Sequence, residues 1–214
     1  MMIQLLQSDP GRYFAIVLVV VVSIVIHELA HGVAAVWLGD RTPIETGHMT
    51  LNPVVHMGGF SLVMLALVGI AWGQMPVNPS RMRGKYADLL VSAAGPASNL
   101  LLAILGLVVI GILVWAKAFS SDSPVAANGL MLLVELVRLN FALLLLNLIP
   151  VPPLDGSRML ANVSPAYRRA MSGEMARGIT MAALFAIFLG GGQYIFGAAE
   201  YATFQGIALV TGQR

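Results

Sequence analysis

The 214-residue sequence has no cysteine and very little charge, with Asp, Glu, Lys and Arg together making up 10%. The first absence excludes disulfides and thiolate metal ligands. It also leaves the redox compartment unmarked. The second excludes an ordinary water-soluble surface, because soluble domains carry about 25% charged residues. A hydrophobic fraction of 58% in a soluble chain would leave large apolar patches in water. A nucleic-acid partner is excluded as well, since the net charge is only +2 and no basic stripe exists. A convincing cleavable signal is also missing. There is no charged n-region, and the first apolar run continues through residues 27–31 without a small-residue cleavage site. Neither an internal repeat nor a low-complexity linker is present.

What the sequence does have is long apolar runs. Segments 13–38, 86–115 and 129–149 are each long enough to cross a bilayer as a helix. Segment 60–72 is short, flanked by glycine, and reads as marginal or re-entrant. A last apolar region, 179–196, is interrupted by Gly190, Gly191 and Gly192. Between the first two runs, residues 42–58 (TPIETGHMTLNPVVHMG) combine alternation with Thr, Val and Pro, which favours extended structure. The expected fold is therefore an all-α polytopic membrane protein. It has about five membrane-embedded helical segments and a short extended or re-entrant region after the first helix. Residues 1–214 read as one membrane-embedded domain, with a core at 12–160 and a C-terminal membrane helical region at 177–200.

Inside the first apolar run lies His27-Glu28-Leu29-Ala30-His31, an H-E-x-x-H pattern. On a helix, positions four apart share a face with Cβ atoms about 6 Å apart. Two imidazoles so placed can converge on one zinc ion, and Glu28, three residues before His31, can act on water without ligating. The energetic argument is stronger than the pattern. One ionisable residue at membrane depth costs about 2.5–3.5 kcal/mol on insertion scales. Three within five residues need a compensating partner, and a divalent metal is the simplest. Two histidines leave a zinc site incomplete. Asp155 follows an apolar run and a proline-broken segment, PVPPLDG. From spacing alone it is equally a third ligand or part of an interfacial turn.

HELAHG (27–32) together with NLIPVPPLDG (147–156) resembles the site-2 protease family, the M50 intramembrane metalloproteases, which pair HExxH with N-x-x-P-x-x-x-x-D-G. Gly95-Pro96-Ala97-Ser98-Asn99 is similar to that family's GPxxN element. TLNPVVH (50–56) and PVNPSRMR (76–83) are similar to its small bacterial and archaeal members. The resemblance covers most of residues 20–160. It implies that His27, His31 and Asp155 are zinc ligands, that Glu28 is the general base, and that Asn147 positions or polarises the scissile backbone. An interhelical hydrogen bond is an equally open role for Asn147. It implies that Asn99 braces the core helices. It further implies one zinc per chain, a membrane-anchored protein substrate, and residence in the lipid bilayer of a prokaryotic cell membrane. The expected form is a small one: no PDZ insertion between the core helices, nothing like a CBS domain after the last helix in this sequence, and HExxH already on its first apolar run.

Other polar residues get plainer readings. His48 and His56 would face one side of an extended segment, but no carboxylate or cysteine joins them for a second metal, and His56 is a candidate lining residue of the cleft. Glu135 and Arg138, three apart, read as a mutual ion pair. Two rival functions remain: a metal transporter, which predicts further polar groups along a path, and a non-catalytic binder on a protease scaffold. An extended 46–55 offers an edge for substrate strand addition. Cationic loops at 81–85 and 158–177 predict a cytoplasmic location for both. That places residues 40 and 80 inside and residues 8 and 121 outside, with 60–72 making no net crossing.

Overall fold

The computed structural model describes residues 2–118 and 123–212, without the side chains of residues 174, 175, 177, 188 and 189. Position 121 lies outside the described residues. The described residues are helical, with no strand among them. The helices are α1 (Met2–Ser8), α2 (Pro10–Trp37), α3 (Thr42–Glu45), α4 (Pro53–Leu67), α5 (Ala87–Trp115), α6 (Pro124–Asn147), α7 (Asp155–Val163), α8 (Pro165–Ala170), α9 (Glu174–Ala186) and α10 (Gly192–Thr211).

Three of these, α2, α5 and α6, are long and apolar enough to span a bilayer. Their starts follow local chemistry. Asp9 caps α2 by accepting from the Arg12 N–H at 3.0 Å, and Pro10 occupies the first helical position. Ser123 and Pro124 do the same for α6, so that helix begins before residue 129, where the apolar run becomes continuous. Along α5, Leu101, Leu105, Val108, Ile112 and Trp115 are exposed on one stripe. The opposite stripe is buried: Val91, Gly95, Asn99, Ala103, Gly106 and Ile110. In water that exposed stripe would be a liability; in lipid it is the solvent-facing surface. Small residues let backbones approach within the bundle, as where Gly106 of α5 packs against Val137 of α6.

Cross-helix contacts fix the directions. His31 meets Val91 and His27 meets Asn99, so α5 runs antiparallel to α2. Arg12 meets Glu135 and Ser23 meets Asn140, so α6 runs parallel to α2. Glu135 also pairs with Arg138, and the two-residue ion pair is thus a three-residue cluster bridging α2 and α6. The C-terminal helical rod turns through a π-helical stretch at Ile187–Gly191 and continues to Thr211, past residue 200, packing α10 on α5 and α6.

The segment between α2 and α5 differs from the expected extended structure. Residues 42–45 form α3, residues 46–52 turn, and residues 53–58 already belong to α4, which breaks at Gly58 with φ of 69°. The prolines that suggested breakage sit instead at helix starts, Pro43 in α3 and Pro53 at the head of α4 after the Asn52 cap. Extended backbone does occur, but later, across residues 70–78. The α4 end reaches the start of α2, where Tyr13 Oη donates to the Ala66 carbonyl at 3.0 Å. The chain then returns. Asn78 N–H donates to Asp40 Oδ2 at 2.6 Å, and Arg83 N–H to the Leu38 carbonyl at 2.8 Å. The two ends of this re-entrant hairpin therefore lie side by side at one end of α2.

Candidate metal centre

His27 and His31 sit four apart on α2, and their Nε2 atoms are 3.0 Å from each other. Asp155, first residue of α7, places Oδ2 3.1 Å from His27 Nε2 and 3.3 Å from His31 Nε2. All three residues are buried. Among the described residues this is the one group of three or more His, Cys, Asp or Glu side chains close enough to share an ion.

The remaining ring nitrogens determine what this cluster can hold. His31 Nδ1 lies 2.7 Å from the Val91 carbonyl, and His27 Nδ1 lies 2.7 Å from Asn99 Oδ1. The Val91 carbonyl can only accept and Asn99 is oriented with its oxygen toward His27, so in this arrangement each neutral ring carries its proton on Nδ1 and leaves Nε2 bare. Two imidazole lone pairs and one carboxylate oxygen then converge on one point. A proton placed there satisfies two of the three atoms; a divalent cation satisfies all three. The donor set, two nitrogens and one oxygen with the outer ring nitrogens hydrogen-bonded, suits zinc with a further position open.

Gly95 on α5 makes this convergence possible. A Cβ there would lie 2.5 Å from His27 Nε2. The adjacent Pro96 has no N–H for the helix ladder, so α5, though continuous, lacks one ladder hydrogen bond where it passes the two histidines. Nothing in the sequence reading assigned Gly95 this steric role. The Gly-Pro pair in mid-span was the available signal.

Glu28 is buried, and its side chain makes no hydrogen bond or ion pair among the described residues. It lines a cleft of about 550 Å³ together with His27, His31, Asn147, Asp155 and Arg158. The side chain of Asn147, the last residue of α6, also makes no hydrogen bond among the described residues, so it has no interhelical partner there. The far wall of the cleft is the extended segment. Gly73 passes so close that a Cβ would lie 2.7 Å from Glu28 Oε1. Trp72 directs both its N–H and its carbonyl to Ser61 Oγ, and Gln74 N–H donates to the His56 carbonyl. Gly73 and Met75 have no backbone hydrogen bonds among the described residues, and the period-two alternation of extended chain turns them the other way. The 46–55 segment forms no such edge, because its residues turn and then enter α4.

His56 is buried outside the cleft lining. Its Nε2 donates to the Thr50 carbonyl at 2.7 Å, and its ring lies 6.3 Å from that of His48 with no acidic group completing a second metal site. Arg158 lines the cleft mouth and is tied to Asp88 at 2.6 Å. At the aqueous end of the hairpin, burial pushes the Asp40 carboxyl up, but donors from Asn78 and Thr42 outweigh it and hold the pKa below the ordinary value.

Comparison with known proteins gives a consistent result. Residues 13–128 and 111–191 match the sequence profile of peptidase family M50. Over 159 residues the chain is 37% identical to the candidate zinc metalloprotease YwhC of Bacillus subtilis, covering 72% of this chain and 71% of that one. Over 174 residues it is 30% identical to the candidate zinc metalloprotease Rip2 of Mycolicibacterium smegmatis, covering 77% of this chain and 63% of that one. No solved structure matches the chain.

Proposed function

Because the chain belongs to peptidase family M50, we propose that this zinc metalloprotease, a multi-pass membrane protein, cuts peptide bonds within or beside transmembrane segments of membrane-anchored proteins. The observation that carries the reading is the buried convergence of His27, His31 and Asp155 beside an unpaired Glu28. His27 and His31 from α2 and Asp155 from α7 hold the ion. Zinc bound there supplies a Lewis acid that activates water near neutral pH and polarises a carbonyl. Glu28 takes the proton from the attacking water and delivers it to the leaving amine. Asn147 offers its free amide N–H to the scissile carbonyl as negative charge develops. Gly73 and Met75 receive the substrate as an added strand, which orders an unwound segment against Glu28. The cleft is walled by apolar side chains such as Ile24, Leu143 and Leu146, which excludes bulk water from the reacting groups.

The transporter reading calls for a polar path through the bilayer. The polar residues that lead away from the site, Asn99, Asn140 and Ser23, are fully buried and bonded to one another. The non-catalytic binder reading has no support from a missing group, since both histidines, Asp155 and Glu28 are present. The deciding experiment is Glu28→Gln in the purified full chain with membrane-peptide substrates. Turnover should fall by about 10²–10⁴-fold with one zinc per chain retained. Loss of zinc together with activity would put Glu28 in the ligand set and overturn its assignment as base.

A further inference from the structure

The two histidines have their tautomers set in different ways. His31 Nδ1 faces a backbone carbonyl, that of Val91, which can only accept. His27 Nδ1 faces a side-chain amide, that of Asn99. An amide can turn over and present N–H in place of oxygen, so Asn99 by itself leaves the His27 tautomer undetermined.

What holds Asn99 is Asn140, a fully buried residue of α6 that belongs to none of the sequence motifs. Asn140 Nδ2 donates to the Leu136 carbonyl at 2.8 Å and to Ser23 Oγ at 2.9 Å. The Leu136 carbonyl is an acceptor only, so the nitrogen of Asn140 must face it. The oxygen of Asn140 then faces Asn99, whose Nδ2 donates to it at 2.9 Å. Asn99 is left with its oxygen toward His27, and His27 must carry its proton on Nδ1. Each step leaves one choice, and the backbone of α6 makes the first.

We propose that Asn140 is a positioning residue for the metal site, fixing through Asn99 the His27 tautomer whose Nε2 is free to ligate. The inference rests on the assignment of His27, His31 and Asp155 as zinc ligands. Without Asn140, Asn99 gains an equally good turned-over state that donates to His27 Nδ1 and moves the ring proton to Nε2. Zinc binding must then reverse both changes, so affinity falls while the ligand set stays complete. Ser23 accepts from the same Asn140 nitrogen but does not determine which way Asn99 points.

The test measures zinc affinity by chelator competition on the full-length protein in detergent. Asn140→Leu, close in shape and unable to hydrogen bond, should weaken zinc by about 10–100-fold, the range for lost outer-shell partners. Ser23→Ala should stay within about threefold of wild type, below that range. The pair Asn140→Leu with Asn99→Asp should restore affinity, because a carboxylate can only accept from His27 Nδ1 and needs no partner to orient it. A purely structural role for Asn140 predicts no such recovery. Unchanged affinity in Asn140→Leu, or no recovery in the pair, overturns the proposal. Wild-type protein provides a measurement that no folding defect can obscure. Nitrogen-15 shifts of labelled histidine rings in the zinc-depleted full chain should show His27 protonated on Nδ1, and a proton on Nε2 overturns the proposal. Should the ligand assignment itself be wrong, wild type and Asp155→Ala will bind zinc alike. That outcome is distinct from both of these.

Discussion

The two walls of the cleft are built on opposite principles. The metal-bearing wall is made from α2, α5, α6 and the head of α7, and its buried polar groups are held by neighbours: His31 by Val91, His27 by Asn99, Asn99 by Asn140. The facing wall is ten or so residues of extended chain, tied back by Ser61, by the His56 carbonyl and by Asp40. Its unused backbone groups are the notable feature. A reaction centre needs its geometry fixed before the substrate arrives. A surface that accepts many sequences needs main-chain groups left free. In the proposed function the packed helices meet the first requirement and the strand-like edge the second.

Substitutions can test that division, and the largest effects belong to the metal-bearing wall. Asp155→Ala should lower zinc affinity by more than about a hundredfold, beyond what outer partners contribute, whereas Asn147→Ala should keep zinc and lose about 10²–10³ in turnover. Metal analysis of the two purified variants checks this. Normal zinc in Asp155→Ala would dissolve the contrast by removing the third ligand from that wall.

Gly73→Ala probes the opposite wall. The new methyl meets Glu28, so the edge must move outward. A displacement near 1 Å costs about 10²-fold in kcat/KM, while zinc content should remain that of wild type. Zinc loss in this variant would mean that the two walls are mechanically one. Gly95→Ala is its counterpart and should lose zinc and turnover together, since its methyl meets the Nε2 atoms of His27 and His31.

The smallest effect concerns the clamp on the hairpin. Asp40→Ala leaves the Asn78 N–H and Thr42 unsatisfied and should cost about 1–3 kcal/mol of stability, read by denaturant unfolding in detergent. The pH dependence has a definite sign. Because the Asp40 pKa is lowered in the fold, its stabilisation is present above the ordinary carboxylate value near 3.9 and is lost as pH falls through the folded value. Unfolding curves of wild type and Asp40→Ala should therefore converge in acid and separate at neutral pH. Parallel curves throughout would mean that Asp40 does not hold the loose wall.

The metal-bearing wall was the more legible of the two in the sequence. HExxH on an apolar helix announces itself because charge at membrane depth needs a reason, and the pattern of Asn147, Pro150, Asp155 and Gly156 pointed by resemblance to Asp155, which the structure brings beside the two histidines. The same cost argument applied to Asn140 and Ser23 would have flagged them, but single neutral polar residues in an apolar run stand out less than ions. The loose wall was misplaced by about twenty residues. Pro43 and Pro53 read as breakers when they are helix starters, and the true extended stretch, 70–78, has no alternating pattern because one side of it faces a cleft. Span boundaries slipped where caps, not hydrophobicity, decide them, as at Ser123.

The re-entrant hairpin also constrains how the protein is made. At 15 residues, α4 is shorter than the roughly 20 that a self-sufficient span needs. The limb that follows it leaves main-chain groups without partners of its own. Such a segment has no stable residence among lipid tails. What shelters it is α2 and the hairpin itself: Tyr13 and Asp40 hold its two ends, and Ser61 and the His56 carbonyl hold its returning limb, so the segment can dock as soon as α2 is in place.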